Sequence, residues 1–252
     1  MSVAERSAGE KAKQGSFWET IKVIIEALLI ALVFRTFLYH PFNIPSGSME
    51  PTLLIGDYLF VSKFSYGYSR YSFPIDLKFH GRIWEGVPKR GDIVVFRPPR
   101  EPGTDYIKRV IGLPGDKIQV QNGELYINGT KVQREAAGDW EGEGRFGDPT
   151  PIPQYRETLD NGASYITLDM MENGPGDNTK VFTVPPDHYF LMGDNRDNSQ
   201  DSRFLDGPVG FVPAENLVGR AEIIFFSVDG APAYAFWRWP WSVRPERILD
   251  LL

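Results

Sequence analysis

Asp105-Tyr106-Ile107-Lys108-Arg109-Val110-Ile111-Gly112-Leu113-Pro114-Gly115-Asp116, continued by Lys117 to Val132, decides the fold class. Tyr106 to Ile111 is a short run of aromatic and β-branched residues bounded by turn residues, which predicts a strand, and Leu113-Pro114-Gly115-Asp116 closes it with a turn. Ile118-Gln119-Val120-Gln121, Leu125-Tyr126-Ile127 and Lys131-Val132 then form a meander. They are separated by Asn122-Gly123 and Asn128-Gly129, pairs that tolerate the positive φ of tight hairpins. Asn128-Gly129-Thr130 matches a glycosylation sequon but reads as the turn. Working outward, Tyr58 to Phe64, Asp92 to Phe96, Tyr189 to Met192 and Ala221 to Ser227 are further short apolar runs bounded by turn residues. The expectation is a mainly β protein with an antiparallel core. Residues 134 to 180 have weak apolar periodicity and are expected to be loops and minor strands.

The bulk numbers agree with that class. Across 252 residues, 17 Phe, 11 Tyr and 6 Trp favour strands, and 25 Gly with 20 Pro imply many turns. A net charge of −6 argues against a nucleic-acid partner, which would need a basic face. With no cysteine, disulfides, thiolate catalysis and Cys-zinc sites are excluded.

One segment departs from the strand pattern. Ile21 to Tyr39 is mostly apolar, with Ala27 to Phe34 unbroken, and as a helix would cover about 28 Å, close to a bilayer core. Trp18 and Tyr39 fit interfacial positions, and Lys22 and Arg35 lie near the ends. Glu26 lies deeper and is the point against a span; the competing reading is a buried or interfacial amphipathic helix. No small-x-small site follows, so a cleavable leader fits poorly. Arg6, Lys11 and Lys13 precede the segment, and after Arg35 no Lys or Arg appears until Lys63, which predicts a single pass with a cytoplasmic N-terminus. Ser48 would then lie within about 32 Å of chain from Tyr39, near the outer membrane face.

Three segments carry candidate chemistry. Ser48 lies in Pro45-Ser46-Gly47-Ser48-Met49-Glu50-Pro51, where Gly47 permits close backbone approach to a ligand. Lys108 stands in the strand, on the face it shares with Tyr106. A hydroxyl needs a base, and a desolvated lysine can serve as one, because burial disfavours the ammonium. The third is Gly193-Asp194-Asn195-Arg196-Asp197-Asn198-Ser199-Gln200-Asp201-Ser202-Arg203, whose acids and arginines can pair within a loop; as a calcium loop it lacks the regular ligand alternation ending in Glu. His40, His80 and His188 are scattered and show no metalloprotease spacing.

These segments, in this order after one apolar stretch, resemble bacterial type I signal peptidases. The resemblance covers the apolar segment, Pro41 to Val61, Gly91 to Lys117 and Pro186 to Phe226. It implies a serine endopeptidase with Ser48 as nucleophile and Lys108 as general base, needing no metal or cofactor. It further implies that Ser46 and the Ser48 amide form the oxyanion hole, that Ser199 orients the lysine amine, that Asp201 and Arg203 pair in support, and that Asp194 and Arg196 stabilise the same loop. Phe42, Ile44, Met49, Leu53, Val95 and Ile107 would wall shallow apolar pockets accepting small side chains at the first and third positions before the cut. The implied partners are signal-peptide-bearing preproteins and the lipid bilayer, with the chain working as a monomer on the outer side of the bacterial cytoplasmic membrane. The implied organisation is a tail at 1–16, an anchor at 17–40, a catalytic β core at 41–116 and 186–252, and a β insertion at 117–185. Against the family pattern, Phe204 to Val209 lengthens the link to Gly210, and the insertion is short.

Two rivals accompany this reading: a peptidase of the same superfamily dedicated to one substrate, and a non-catalytic membrane-anchored β module that binds calcium through the acidic loop. Phe236-Trp237-Arg238-Trp239-Pro240-Trp241 places three Trp in five residues beside a Pro that blocks regular packing, and is expected to contact lipid headgroups.

Overall fold

The computed structural model describes residues 3–73, 78–142, 151–229 and 235–252, with side chains described from residue 17. Helix α1 (Val3–Phe37) comes first. It stops just before His40-Pro41, where proline offers no N–H and disfavours helical backbone in the residue before it. Its last bond runs from Leu38 N–H to the Phe34 carbonyl, and Tyr39 already pairs in a strand. Helix α1 thus ends at Phe37 and begins at Val3.

The expected membrane span is not found. Among the described residues no helix is long and apolar enough to cross a membrane. Lys22, Glu26 and Arg35 interrupt the apolar length, and Lys22 meets Glu26 at 3.7 Å one turn on. What the helix does present is a run of exposed apolar side chains, including Ile24, Leu28, Leu29, Ile30, Leu32 and Val33.

The strands follow in chain order. They are β1 (Tyr39–Asn43), β2 (Asp57–Ser62), β3 (Ile93–Phe96), β4 (Tyr106–Gly112), β5 (Lys117–Gln121), β6 (Glu124–Ile127) and β7 (Thr130–Lys131). After these come β8 (Gln133–Trp140), β9 (Ile152–Thr158), β10 (Ser164–Leu168), β11 (Phe182–Thr183), β12 (His188–Met192), β13 (Val212–Pro213) and β14 (Leu217–Ser227). Seven of them form one antiparallel sheet in the order β1-β2-β14-β3-β4-β12-β13. β14 can serve two partners because bulges bend it, and because Gly219 leaves room for the Ser62 carbonyl where a Cβ would collide.

The meander forms as its turns predict: Asn122, Gly123, Asn128 and Gly129 all have positive φ, and β5, β6 and β7 pair in sequence, with β11 on the far edge. Residues 134–180 are more ordered than expected. β8, β9 and β10 make a three-stranded sheet whose first strand is exposed along most of its length, which is why no apolar alternation marks it. Part of that stretch, 143–150, lies outside the described residues.

Three apolar clusters hold these sheets. Ile118, Val120, Leu125 and Tyr165 pack with Ile111, Phe190 and Met192, so the smaller sheets share their core with β4 and β12. Ile44, Met49, Leu53, Leu59, Val61, Ile93 and Val95 form a second cluster under the Ser48 segment.

Candidate active site

Two loops meet over the end of β4. The first carries Ser48 in a single 3-10 turn, Gly47–Met49, anchored from below because Met49 and Leu53 are fully buried. The second leaves β12 at Met192 and runs from Gly193 to Arg203. β12 delivers it there by pairing Leu191 with Val110 and Met192 with Arg109. The loops are tied directly: Asn195 N–H donates to the Ser48 carbonyl at 3.2 Å, and its Nδ2 donates to the Gly47 carbonyl at 3.1 Å. Gly193 makes this proximity possible, since a Cβ there would collide with both Ser199 and the Ser48 carbonyl.

At the junction Lys108 Nζ lies 2.6 Å from Ser48 Oγ and donates to the Ile107 carbonyl at 2.9 Å. Lys108 is 3% exposed and Ser48 8%. Burial lowers the lysine pKa to about 8, with Arg203 adding to the effect and Asp201 and Asp194 opposing it. The Tyr106 ring centroid lies 5.8 Å from Nζ, so the two residues share a face as alternation requires.

Ser46 precedes the turn in extended conformation, exposed, with no capping hydrogen bond. Ser199 is buried and its Oγ has no hydrogen-bond partner; it is not bonded to Lys108. It lies near enough to Asp201 to help hold that carboxylate ionised without meeting hydrogen-bond geometry. Burial pushes Asp201 up, but the Arg203 guanidinium outweighs it and the carboxyl stays below its usual range. Arg203 grips Asp201 with two 3.0 Å bonds and reaches the Arg196 carbonyl, while Gly193 N–H donates to Asp201 at 3.1 Å.

Asp194 and Arg196 do not pair with each other. Asp194 receives a bidentate pair from Arg109, at 2.8 and 2.6 Å, and the Thr52 hydroxyl at 2.6 Å. Arg196 forks onto Glu157 of β9 at 2.8 and 2.5 Å, and Tyr165 donates to the same carboxylate at 2.9 Å. Arg109, Thr52, Glu157 and Asn195 therefore position the site without having been assigned roles in the sequence reading. Arg109 carried one visible signal, a second cation in a buried strand on the face opposite Lys108. Glu157 carried none, because its partner lies 39 residues away.

The six apolar candidates gather in one cluster. Ile44, Met49, Leu53 and Val95 are sealed inside it, and Phe42 and Ile107 remain half-buried at its surface. Phe42 also borders a cavity of about 320 Å³ between α1 and the sheet, lined by Arg35, His40 and Lys63 among others.

A family profile described as "Signal peptidase, peptidase S26" matches residues 17–226. Signal peptidase I of Rickettsia typhi (strain ATCC VR-144 / Wilmington) is 46% identical over 209 residues, covering 79% of this chain and 76% of its own. That of Rickettsia akari (strain Hartford) is 43% identical over 231 residues, covering 88% and 83%. A crystal structure of a signal peptidase I from Enterococcus faecalis V583 aligns over 53% of this chain and 96% of its own, with 29% identity and a TM-score of 0.31.

Proposed function

The chain belongs to the signal peptidase family, peptidase S26, and on that premise we propose that it removes N-terminal signal peptides from secreted preproteins by attack of Ser48 on the scissile carbonyl, with Lys108 as general base. The 2.6 Å contact between Lys108 Nζ and Ser48 Oγ carries this reading. The neutral amine accepts the hydroxyl proton through its lone pair as Oγ bonds to the carbonyl carbon. The Ser48 amide and the uncommitted Ser46 hydroxyl donate to the resulting oxyanion. Lys108 then returns its proton to the leaving amine. A water deprotonated by the same amine releases the acyl-enzyme. Asp201 and Arg203 hold the neighbouring loop, and Ser199, whose buried hydroxyl has no partner there, is the group assigned to orient the amine.

Phe42 and Ile107 offer the surface that small side chains would touch. Ile44, Met49, Leu53 and Val95 fill the space behind them, which keeps the pockets shallow and favours a small-x-small motif such as Ala-x-Ala. In this reading residues 117–185 form an inserted subdomain on the catalytic core, and the exposed apolar length of α1 seats the chain at the bacterial cytoplasmic membrane with the sheets on its outer side.

The test is processing of a preprotein by Lys108→Ala and Ser48→Ala. Each variant is expected to lose on the order of 10⁴-fold in rate with its fold intact by circular dichroism. Undiminished processing by either one would falsify the dyad.

A further inference from the structure

Behind the catalytic loop lies a second cluster that the reaction above does not use. Asp169, Asp177 and Asp197 each bring a carboxylate oxygen within 4.8 Å of the others. They come from three parts of the chain: Asp169 from just after β10, Asp177 from the loop before β11, and Asp197 from the loop that carries Ser199, Asp201 and Arg203. The protein holds one oxygen of each. Asp169 Oδ2 accepts from Arg134 at 2.5 Å, Asp177 Oδ2 from Gly174 N–H at 2.6 Å, and Asp197 Oδ2 from the Met170 and Met171 amides at 2.7 and 2.9 Å. Among the described residues no hydrogen bond reaches the second oxygens.

Asp197 makes the case sharp. It is 8% exposed, and its Oδ1 is buried without any hydrogen-bond partner. An anionic oxygen in that state is costly unless something cationic meets it. It is aimed at the cluster, because a Cβ at Gly174 would collide with Asp197 Oδ1 and lie 3.4 Å from Asp177 Oδ2. Arg134 pairs with Asp169 and lies 3.6 Å from the Tyr155 ring, and Arg196 and Arg203 pair with Glu157 and Asp201; the Nε atoms of Arg134 and Arg196 are buried without a partner, and none of the three guanidinium groups bonds Asp197 Oδ1. On the outer side an open cavity of about 590 Å³, lined by Asp169, Asp177, Asn173, Glu172 and Tyr155 among others, gives access from solvent.

We propose that Asp169, Asp177 and Asp197 bind a hard divalent cation, calcium in particular, which ties the catalytic loop to the two smaller sheets. Three carboxylates with no histidine or thiol select hard ions, and donors from three separate segments with room for water suit the flexible, oxygen-rich shell of calcium better than the strict octahedron of magnesium. The ion would be structural, and no proton or bond of the peptidase reaction passes through it.

The test uses the full chain and terbium(III), a luminescent stand-in for calcium, excited through Tyr155 at the rim of the cavity. Saturable luminescence displaced by calcium chloride is expected, together with a melting temperature that rises with calcium and less with magnesium. Asp197→Asn should weaken terbium and calcium binding roughly tenfold or more and abolish the calcium-dependent rise. If Asp197→Asn does not fold, Asp177→Asn decides, because its amide oxygen can still accept from Gly174. Absence of saturable terbium binding, or equal affinity in the wild-type chain and the folded variant, overturns the proposal. Calcium binding in a chain inactivated by Ser48→Ala keeps this result separate from that of the dyad.

Discussion

At the residue scale, Lys108 is held at a cost to stability. Its pKa is lowered to about 8 by burial, so at neutral pH most of the amine is still charged and the competent fraction is small. The rate on a signal-bearing substrate is therefore expected to rise about tenfold per pH unit below that value and to level off above it; a profile flat from pH 6 to 9 would remove lysine as the base. The same shift has a linked effect on folding. Between about 8 and the ordinary lysine value of 10.5, the unfolded chain binds the proton that the folded chain has released, so stability rises with pH across that window. Below it the full penalty applies, about 3 kcal/mol for a shift of this size. Lys108→Met, which keeps the volume and drops the charge, should be inactive yet melt several degrees higher at pH 7, with the gap closing toward pH 10.5. An equal or lower melting temperature at pH 7 would show that the amine is better solvated than its burial implies.

At the scale of elements, the loop from Gly193 to Arg203 is held by strands on both sides. Asp194 is clamped by Arg109 of β4 and Arg196 by Glu157 of β9, and both ion pairs are buried. Breaking such a pair by removing one partner leaves a buried charge alone and costs about 3–5 kcal/mol. Glu157→Ala should thus destabilise the chain by that order in urea unfolding, and Glu157→Leu with Arg196→Met should recover most of it. If the double variant is no better than the single one, the pair contributes more than charge compensation. Five strands of the large sheet (β2, β3, β4, β12 and β14) and the meander were legible in the sequence, because short β-branched or aromatic runs bounded by turn residues mark buried strands and Asn-Gly turns declare themselves; β1 and β13 were not. β8, which brings the three-stranded sheet its exposed edge, was not, because an exposed strand has no apolar period to read. The Glu157–Arg196 link was equally silent.

At the scale of the whole molecule, exposed apolar side chains gather at the two ends of the chain, with a smaller group at Ile83, Trp84 and Val87. α1 exposes Ile24, Leu28, Leu29 and Ile30, and the C-terminal segment exposes Phe236, Trp237 and Trp241, with Trp239 partly covered by Phe226. Replacing Trp237, Trp239 and Trp241 with Ser is expected to weaken vesicle binding of a chain beginning at Tyr39 several-fold, measured by flotation; unaltered flotation would assign those rings another role. The sequence by itself determined the β class, the helix at the start of the chain and the three segments that converge, since strand period, turn chemistry and apolar run length are local properties. The tertiary structure alone decided how far Lys108 is desolvated, which residues clamp the loop, and that three distant aspartates share one place. Burial and charge pairing depend on neighbours brought together by folding, and no local pattern encodes them.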